Sequence, residues 1–235
     1  MNRLHSRLVG FQISFGALLF SFPAFPLSAQ TTLGILDFDN NSLADRERLE
    51  PLRKGLAQMF SSELSQLQDL QLVERADLNR VLEEMKLAQA GLIDEKTAQQ
   101  VGKLAGAQHL LLGGFIYLPN KKIRLDVRVV EVETGRTLKA GERTGKEEQL
   151  FDLVKELNQK LVKDLAVRVS AAEMAKLENL RNVKFSAVLL YSQGVQLEDR
   201  RDFTGAKKKY REAVAAAADF MQPKQRLRAL EGGKP

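Results

Sequence analysis

The 235-residue chain has no cysteine, no tryptophan, only two histidines and just 6% aromatic residues. Without cysteine there can be no disulfide, no thiolate metal site, no cysteine nucleophile and no lipidated N-terminal cysteine. Imidazole is confined to His5 and His109, which removes most histidine-dependent acid–base and metal chemistry. Proline is scarce at 6 residues, so long regular elements are permitted. What is present is a 44% hydrophobic, 28% charged composition, enough apolar material to build a core and to exclude global disorder. The length allows one ordinary domain with an appendage, or two small domains.

The first 29 residues carry Arg3 and Arg7 and no acid, then an apolar run from Leu8 to Phe20, then Pro23, Pro26 and Leu27-Ser28-Ala29. A basic start, a short apolar middle and a small residue at the cut describe a secretory signal peptide, with cleavage after Ala29. A membrane anchor would need about 20 apolar residues, and the prolines interrupt the run first. Arg3 and Arg7 are not adjacent, so the general secretory route fits better than twin-arginine export. The full chain is formally +6. Loss of those two arginines leaves a mildly basic surface whose attraction to anionic lipid or cell-wall polymer would be weak and salt-sensitive.

Residues 30–169 read as a first domain. Thr32 to Asp39 has the pattern of a short buried strand, and Leu49, Leu52, Leu56, Met59, Phe60, Leu64 and Leu67 recur at helical spacing within one helix from Asp45 to Leu67. Leu70 to Arg75 is a second strand. Asp77 is placed to cap the next helix, with Leu78, Val81, Leu82 and Met85 as its stripe and Gly91 as its end. A further helix from Asp94 carries Ala98, Val101, Leu104 and Ala105 inward. Leu110 to Leu118 is a continuous apolar run, as in a central strand. Ile123, Leu125, Val127 and Val129 then alternate with charged residues, the mark of a strand with one wet face. Thr134-Gly135 turns the chain into a return strand from Arg136 to Thr144. A long helix from about Glu148 follows. The order β-α-β-α-α-β-β-β-α predicts an α/β (α+β) fold, a mixed sheet with helices packed on one face.

Residues 170–235 read as all-helical. Gly194, Ala206, Tyr210 and Ala213 fall in the frame of one tetratricopeptide-like repeat over about 187–220. A lone repeat leaves its stacking face bare, to be covered by a helix at roughly 171–185 or by another protein. A plain helical hairpin would suit Ala215 to Ala218 equally. Tyr191, Leu197, Phe203 and Tyr210 are the candidate partner-binding residues of this hairpin.

Catalytic signals are weak. Asp37-Phe38-Asp39 has the look of an aspartate-nucleophile phosphatase motif, but lacks the later acidic pair; read as a calcium loop, it puts Ser42 and Arg48 at positions that require glycine and glutamate. The plainer reading is a strand end with aspartates left in water. His109 has no histidine partner, and no G-x-S-x-G elbow exists to use it. Arg75, after an apolar strand, invites a binding role, and Lys207-Lys208-Lys209 with Arg211 reads as a solvated helix face. No catalytic residue, metal site or cofactor is assigned.

The series Leu72 to Glu84, Gly91 to Ala98, Gly102-Lys103-Leu104-Ala105-Gly106-Ala107 and Val132-Glu133-Thr134-Gly135 resembles, in order and spacing, the curli production assembly/transport family CsgG over about residues 32–165. The resemblance implies an exported, non-enzymatic envelope component, and for Arg75 of Val73-Glu74-Arg75 an internal ion pair or carbonyl anchor. The best-known members are lipoproteins whose inserted hairpins build an oligomeric outer-membrane pore. Here the lipidated cysteine is missing, the first insertion site is reduced to Pro119 to Lys122, and the second holds only a few residues. A membrane hairpin needs about 20 residues, so neither site supplies one. The resemblance therefore points to a periplasmic adaptor or assembly factor, peripheral to the outer membrane. Its partners would be secretion or assembly proteins, not nucleic acid. An oligomeric ring or accessory subunit of a curli-type secretion channel is the alternative.

Overall fold

The computed structural model describes residues 30–85, 94–178 and 183–232. The expected signal peptide and the expected helix end at Gly91 lie outside the described residues.

Six strands form among the described residues. They are β1 (Thr31–Ile35), β2 (Asp39–Asn40), β3 (Leu70–Leu72), β4 (His109–Leu118), β5 (Lys122–Glu131) and β6 (Thr137–Lys146). The sheet order is β3-β1-β4-β5-β6, with β2 pairing β4 beyond the end of β1. β1 runs parallel to β3 and β4, while β4-β5-β6 is an antiparallel meander. The mixed sheet expected from the element order is therefore present. Asn120 and Lys121, both at positive φ, close the β4–β5 hairpin.

Nine helices are described: α1 (Arg46–Leu49), α2 (Leu52–Leu64), α3 (Arg75–Glu84), α4 (Glu95–Leu104), α5 (Leu150–Asp164), α6 (Ala171–Glu178), α7 (Phe185–Asp199), α8 (Phe203–Ala216) and α9 (Met221–Glu231). Several differ from the sequence expectation. The first helix is two, because Pro51 offers no N–H to continue α1 and instead opens α2. α3 begins at Arg75, with Glu74 at the cap position; Asp77 sits in the first turn and pairs with Arg80 at 3.0 Å. Asp94 does cap α4, accepting from Thr97 N at 2.8 Å. That hydrogen bond holds the Asp94 carboxyl below its usual range. At the far end Gly106, at φ 69°, and the bond from Ala107 N to Gly102 O stop the helix. Leu104 stands 64% exposed rather than inward, since Ala98 and Val101 already face the sheet.

Helices cover both faces of the sheet, not one. Leu33, Ile35, Leu111, Phe115, Ile123, Leu125, Val127 and Val129 point to the face packed by α2 and α5. Gly34, Leu110, Leu112 and Val130 point to the other, packed by α3 and α4. The cause is the crossover geometry. The chain leaves β1 through α2 to β3 on one side, then returns through α3 and α4 to β4 on β1's other side. Two right-handed crossovers in opposite directions place their helices on opposite faces.

The tail joins the larger core. Phe185, Tyr191, Val195, Ala206, Tyr210 and Phe220 belong to one continuous apolar cluster with α2 and α5. α7 and α8 form an antiparallel hairpin in which a Cβ on Gly194 would lie 2.4 Å from the Tyr210 ring. Glycine is needed there for the ring to fit. The hairpin is flanked by α2 on the α7 side and by α9 on the α8 side. α6, one of the two covers expected for it, packs on α5. α2 approaches so closely that a Cβ on Gly55 would sit 1.8 Å from Ser192 Oγ.

Candidate functional site

In an open α/β sheet, the crevice at the carboxyl ends of the parallel strands, where neighbouring crossovers diverge, is the customary ligand position. Here that point lies beyond β1. It is lined by Asp37 and Asp39 after β1, Arg53 and Lys54 on α2, Glu83 on α3, and Asp199 of α7, around a cavity of about 310 Å³.

The crevice is filled with matched charge. Lys54 Nζ lies 3.1 Å from Asp37 and also pairs with Asp199; Arg75 pairs with the same Asp199 oxygen. Asp199 is the last residue of α7, so this cluster fastens the tail to the strand ends. Arg53 donates to Phe38 O at 2.8 Å and to Glu50 at 2.9 Å, and reaches Asp39 at 4.0 Å. Burial pushes the Asp39 carboxyl up, against the pull of Arg53. The two aspartates are thus engaged with cations rather than left in water. The internal ion pair expected of Arg75 is present, and it spans from the start of α3 to the tail.

The loop after β2 is closed by its own hydrogen bonds. Ser42 N donates to Asn40 Oδ1 at 3.1 Å, Asn40 Nδ2 to Arg46 O at 2.9 Å, and Tyr117 N to Ser42 Oγ at 2.9 Å. Arg48, the residue at the glutamate place of a calcium loop, pairs with Asp45 and lies 5.5 Å over the Tyr117 ring. No group of three or more metal-ligating side chains converges among the described residues. His109 is half-buried beside Glu131, and burial holds its imidazole below the usual value.

A second, larger cleft of about 980 Å³ runs between α2, the start of α3 and the tail. Its charges are also cross-matched: Arg226 pairs with Glu198, which accepts from Tyr210 Oη at 2.7 Å. The four residues singled out on the hairpin do not share a surface. Tyr191 and Tyr210 are fully buried, with ring centroids 5.8 Å apart, and Leu197 is half-buried against the same core. Phe203 alone stands open, 46% exposed at the start of α8. In the basic run, Lys209 pairs with Glu212 and Arg211 with Glu231, both at 2.8 Å.

Two features had little sequence signal. Glu63, on the apolar face of α2, is 1% exposed and accepts from Asn158 Nδ2 of α5 at 2.7 Å. Burial pushes its carboxyl up to about 8. The contact of Gly55 with Ser192 likewise joins residues that no local pattern relates. An acid standing among apolar positions of a helical stripe was the one sign available for Glu63.

These features define a mixed-sheet domain with a docked helical hairpin, in which the customary ligand crevice is lined by internal ion pairs. The family model described as "Curli production assembly/transport component CsgG" matches residues 24–122, the stretch that includes β1 through β4. The resemblance read from the sequence is therefore shown over that stretch. The search of curated proteins returns no match.

Solved structures similar to this chain include the LpoB C-terminal domain from Salmonella enterica. It is 20% identical, with a TM-score of 0.37, over 52% of this chain and 86% of that one. Lipoprotein GNA1162 from Neisseria meningitidis is 16% identical, with a TM-score of 0.38, over 60% of this chain and 99% of that one. The PelC dodecamer from Paraburkholderia phytofirmans is 11% identical, with a TM-score of 0.35, over 59% of this chain and 90% of that one.

Proposed function

We propose that the protein is an exported, non-enzymatic envelope component that acts by protein–protein interaction, as an assembly or secretion adaptor in the periplasm or at the outer membrane. The observation that carries this reading is the CsgG family match over residues 24–122. The family's name ties it to assembly and transport, and the basic, apolar N-terminal stretch supports export.

The site chemistry supports a binding role over a catalytic one. Asp37, Asp39 and Asp199 of the strand-end crevice are paired with Lys54, Arg53 and Arg75, so none of these three stands as a free nucleophile beside a base. Short connections support an accessory position. Three residues separate β4 from β5, and a single turn from Glu147 to Gln149 joins β6 to α5. No helix of the described residues is long and apolar enough to cross a membrane. Covering of the hairpin by α2 and α9 moves the expected contact surface away from Tyr191 and Tyr210. The tetratricopeptide-like hairpin is read here as a structural brace of the domain.

The test is in-cell crosslinking of a C-terminally tagged protein, followed by mass spectrometry of the envelope fraction. Recovery of outer-membrane assembly or secretion components is the expected result. Fractionation of the mature protein with the cytoplasm would overturn the reading. A self-crosslinked ladder closing at a fixed size, with no other protein, would replace it with an oligomeric ring.

A further inference from the structure

β6 is the outer strand of the sheet. It pairs with β5 along its length, and no strand lies beyond it among the described residues. Its backbone polarity can be assigned residue by residue. Glu147 N donates to Lys121 O at 2.8 Å, one step beyond the Lys122–Lys146 pair. Antiparallel pairs alternate between bonded and non-bonded. Gly145, Arg143 and Gly141 therefore turn their N–H and C=O groups toward β5, while Ala140, Glu142, Thr144 and Lys146 turn theirs outward. Two side-chain contacts agree. Lys146 N donates to Gln149 Oε1 at 3.1 Å, and Glu142 O accepts from Arg143 Nη1 at 2.8 Å.

Natural sheets usually blunt such an edge with proline, brevity, a bulge or charged side chains, and charge is the device that β6 carries. β6 is 10 residues long and contains no proline. The only irregularity in its pairing lies at Val129/Val130, opposite the first residues of the strand. From Ala140 to Thr144 the pairing with β5 is regular, and the outward carbonyl of Glu142 is taken by the Arg143 side chain.

Its charge selects the occupant. Residues 136–146 hold Arg136, Lys139, Arg143 and Lys146 against the single acid Glu142. Glu142 is itself paired with Arg124, and Arg143 shares its charge with Glu156 of α5. Two copies of this edge would meet with like net charge, whereas an acidic segment would be drawn to it. We infer that β6 accepts an extended, acidic segment of a partner protein as an added strand, the main chain supplying the pairing and the basic residues the choice of sign. This rests on the adaptor reading and names the class of segment it binds.

The test places a photocrosslinking residue at position 140, 142 or 144 of the full-length protein in its own cells, and maps the joined peptides. The expected result is one acidic partner segment, with the three crosslinks stepping along it in a constant direction, about two residues at a time. Thr144→Pro removes an N–H that faces outward, so it should cut the crosslink yield at positions 140 and 142 by at least about tenfold. Thr144→Ala should leave that yield unchanged, and both proteins should keep the parent melting temperature. Should the proline variant fail to fold, the double variant Arg136→Glu with Lys139→Glu must lower the yield instead.

Unordered crosslinks, crosslinks to β6 of a second copy, silence at all three positions, or an unchanged yield in a folded proline variant would each overturn the inference. Capture of envelope proteins from other positions while β6 stays silent would leave the adaptor reading standing. Absence of envelope proteins from every position would remove both.

Discussion

The buried pair of Glu63 and Asn158 makes folding proton-linked. Glu63 Oε2 accepts from Asn158 Nδ2, while Glu63 Oε1 and Asn158 Oδ1 are buried acceptors with no partner among the described residues. A proton on Glu63 supplies the donor this pocket otherwise lacks. Burial raises the carboxyl from its ordinary 4.5 to about 8, against the opposing pull of Asn158 and Lys155.

Between those values the folded protein keeps a proton that the unfolded chain has lost, so stability falls as pH rises through that window. At about 1.4 kcal/mol per pH unit, roughly 3 kcal/mol is lost between pH 4.5 and pH 7, and on the order of 4–5 kcal/mol by pH 8. Glu63→Gln keeps the shape and the amide contact but cannot ionise. In urea unfolding it should match the parent near pH 4.5–5 and exceed it by about 3–4 kcal/mol near pH 8. Parallel stability profiles for the two proteins from pH 5 to 8 would refute the reasoning, because they would place an ionised Glu63 in the core at no cost.

Gly55→Ala should force α2 and α7 apart at Ser192, costing about 1–3 kcal/mol, and Ser192→Gly in the same chain should recover part of it; thermal melts of the three variants check this. Asp199→Asn removes the charge that Arg75 pairs with and leaves Lys54 its pairing with Asp37. Their side chains are about one-quarter exposed, so a loss of about 1–2 kcal/mol is expected, read as a fall in melting temperature that shrinks in high salt. Leu104→Glu should change stability by less than about 0.5 kcal/mol, whereas Val101→Ala, on the same helix but fully buried, should cost roughly 2 kcal/mol in denaturant unfolding.

Elements set by local pattern were legible. The alternation from Ile123 to Val129 gives a strand with one packed face, and that face is buried. Asp94 caps because its carboxylate can reach Thr97 N three residues on, a relation written within four residues of sequence. Gly194, Ala206, Tyr210 and Ala213 mark a close helical hairpin, and all four are buried in it. Pro51 was equally available as a signal, and the apolar stripe running through it concealed the break. Arg75 was read as an internal anchor, but its partner lies 124 residues away, beyond the reach of any local rule.

The sequence by itself determined the periods, the turns and the order of elements behind a mixed sheet, because these depend on neighbours a few residues apart. Only the tertiary structure decided that helices cover both faces, since this follows from the side of β1 on which each crossover lands. It alone turned Leu104 outward and brought Tyr191 and Tyr210 into the core. The same holds for the raised carboxyl of Glu63, the Gly55–Ser192 contact and the ion pairs that line the strand-end crevice. Each joins segments distant in the chain, and desolvation, which sets the strength of charge and apolar contact alike, is a property of the packed whole.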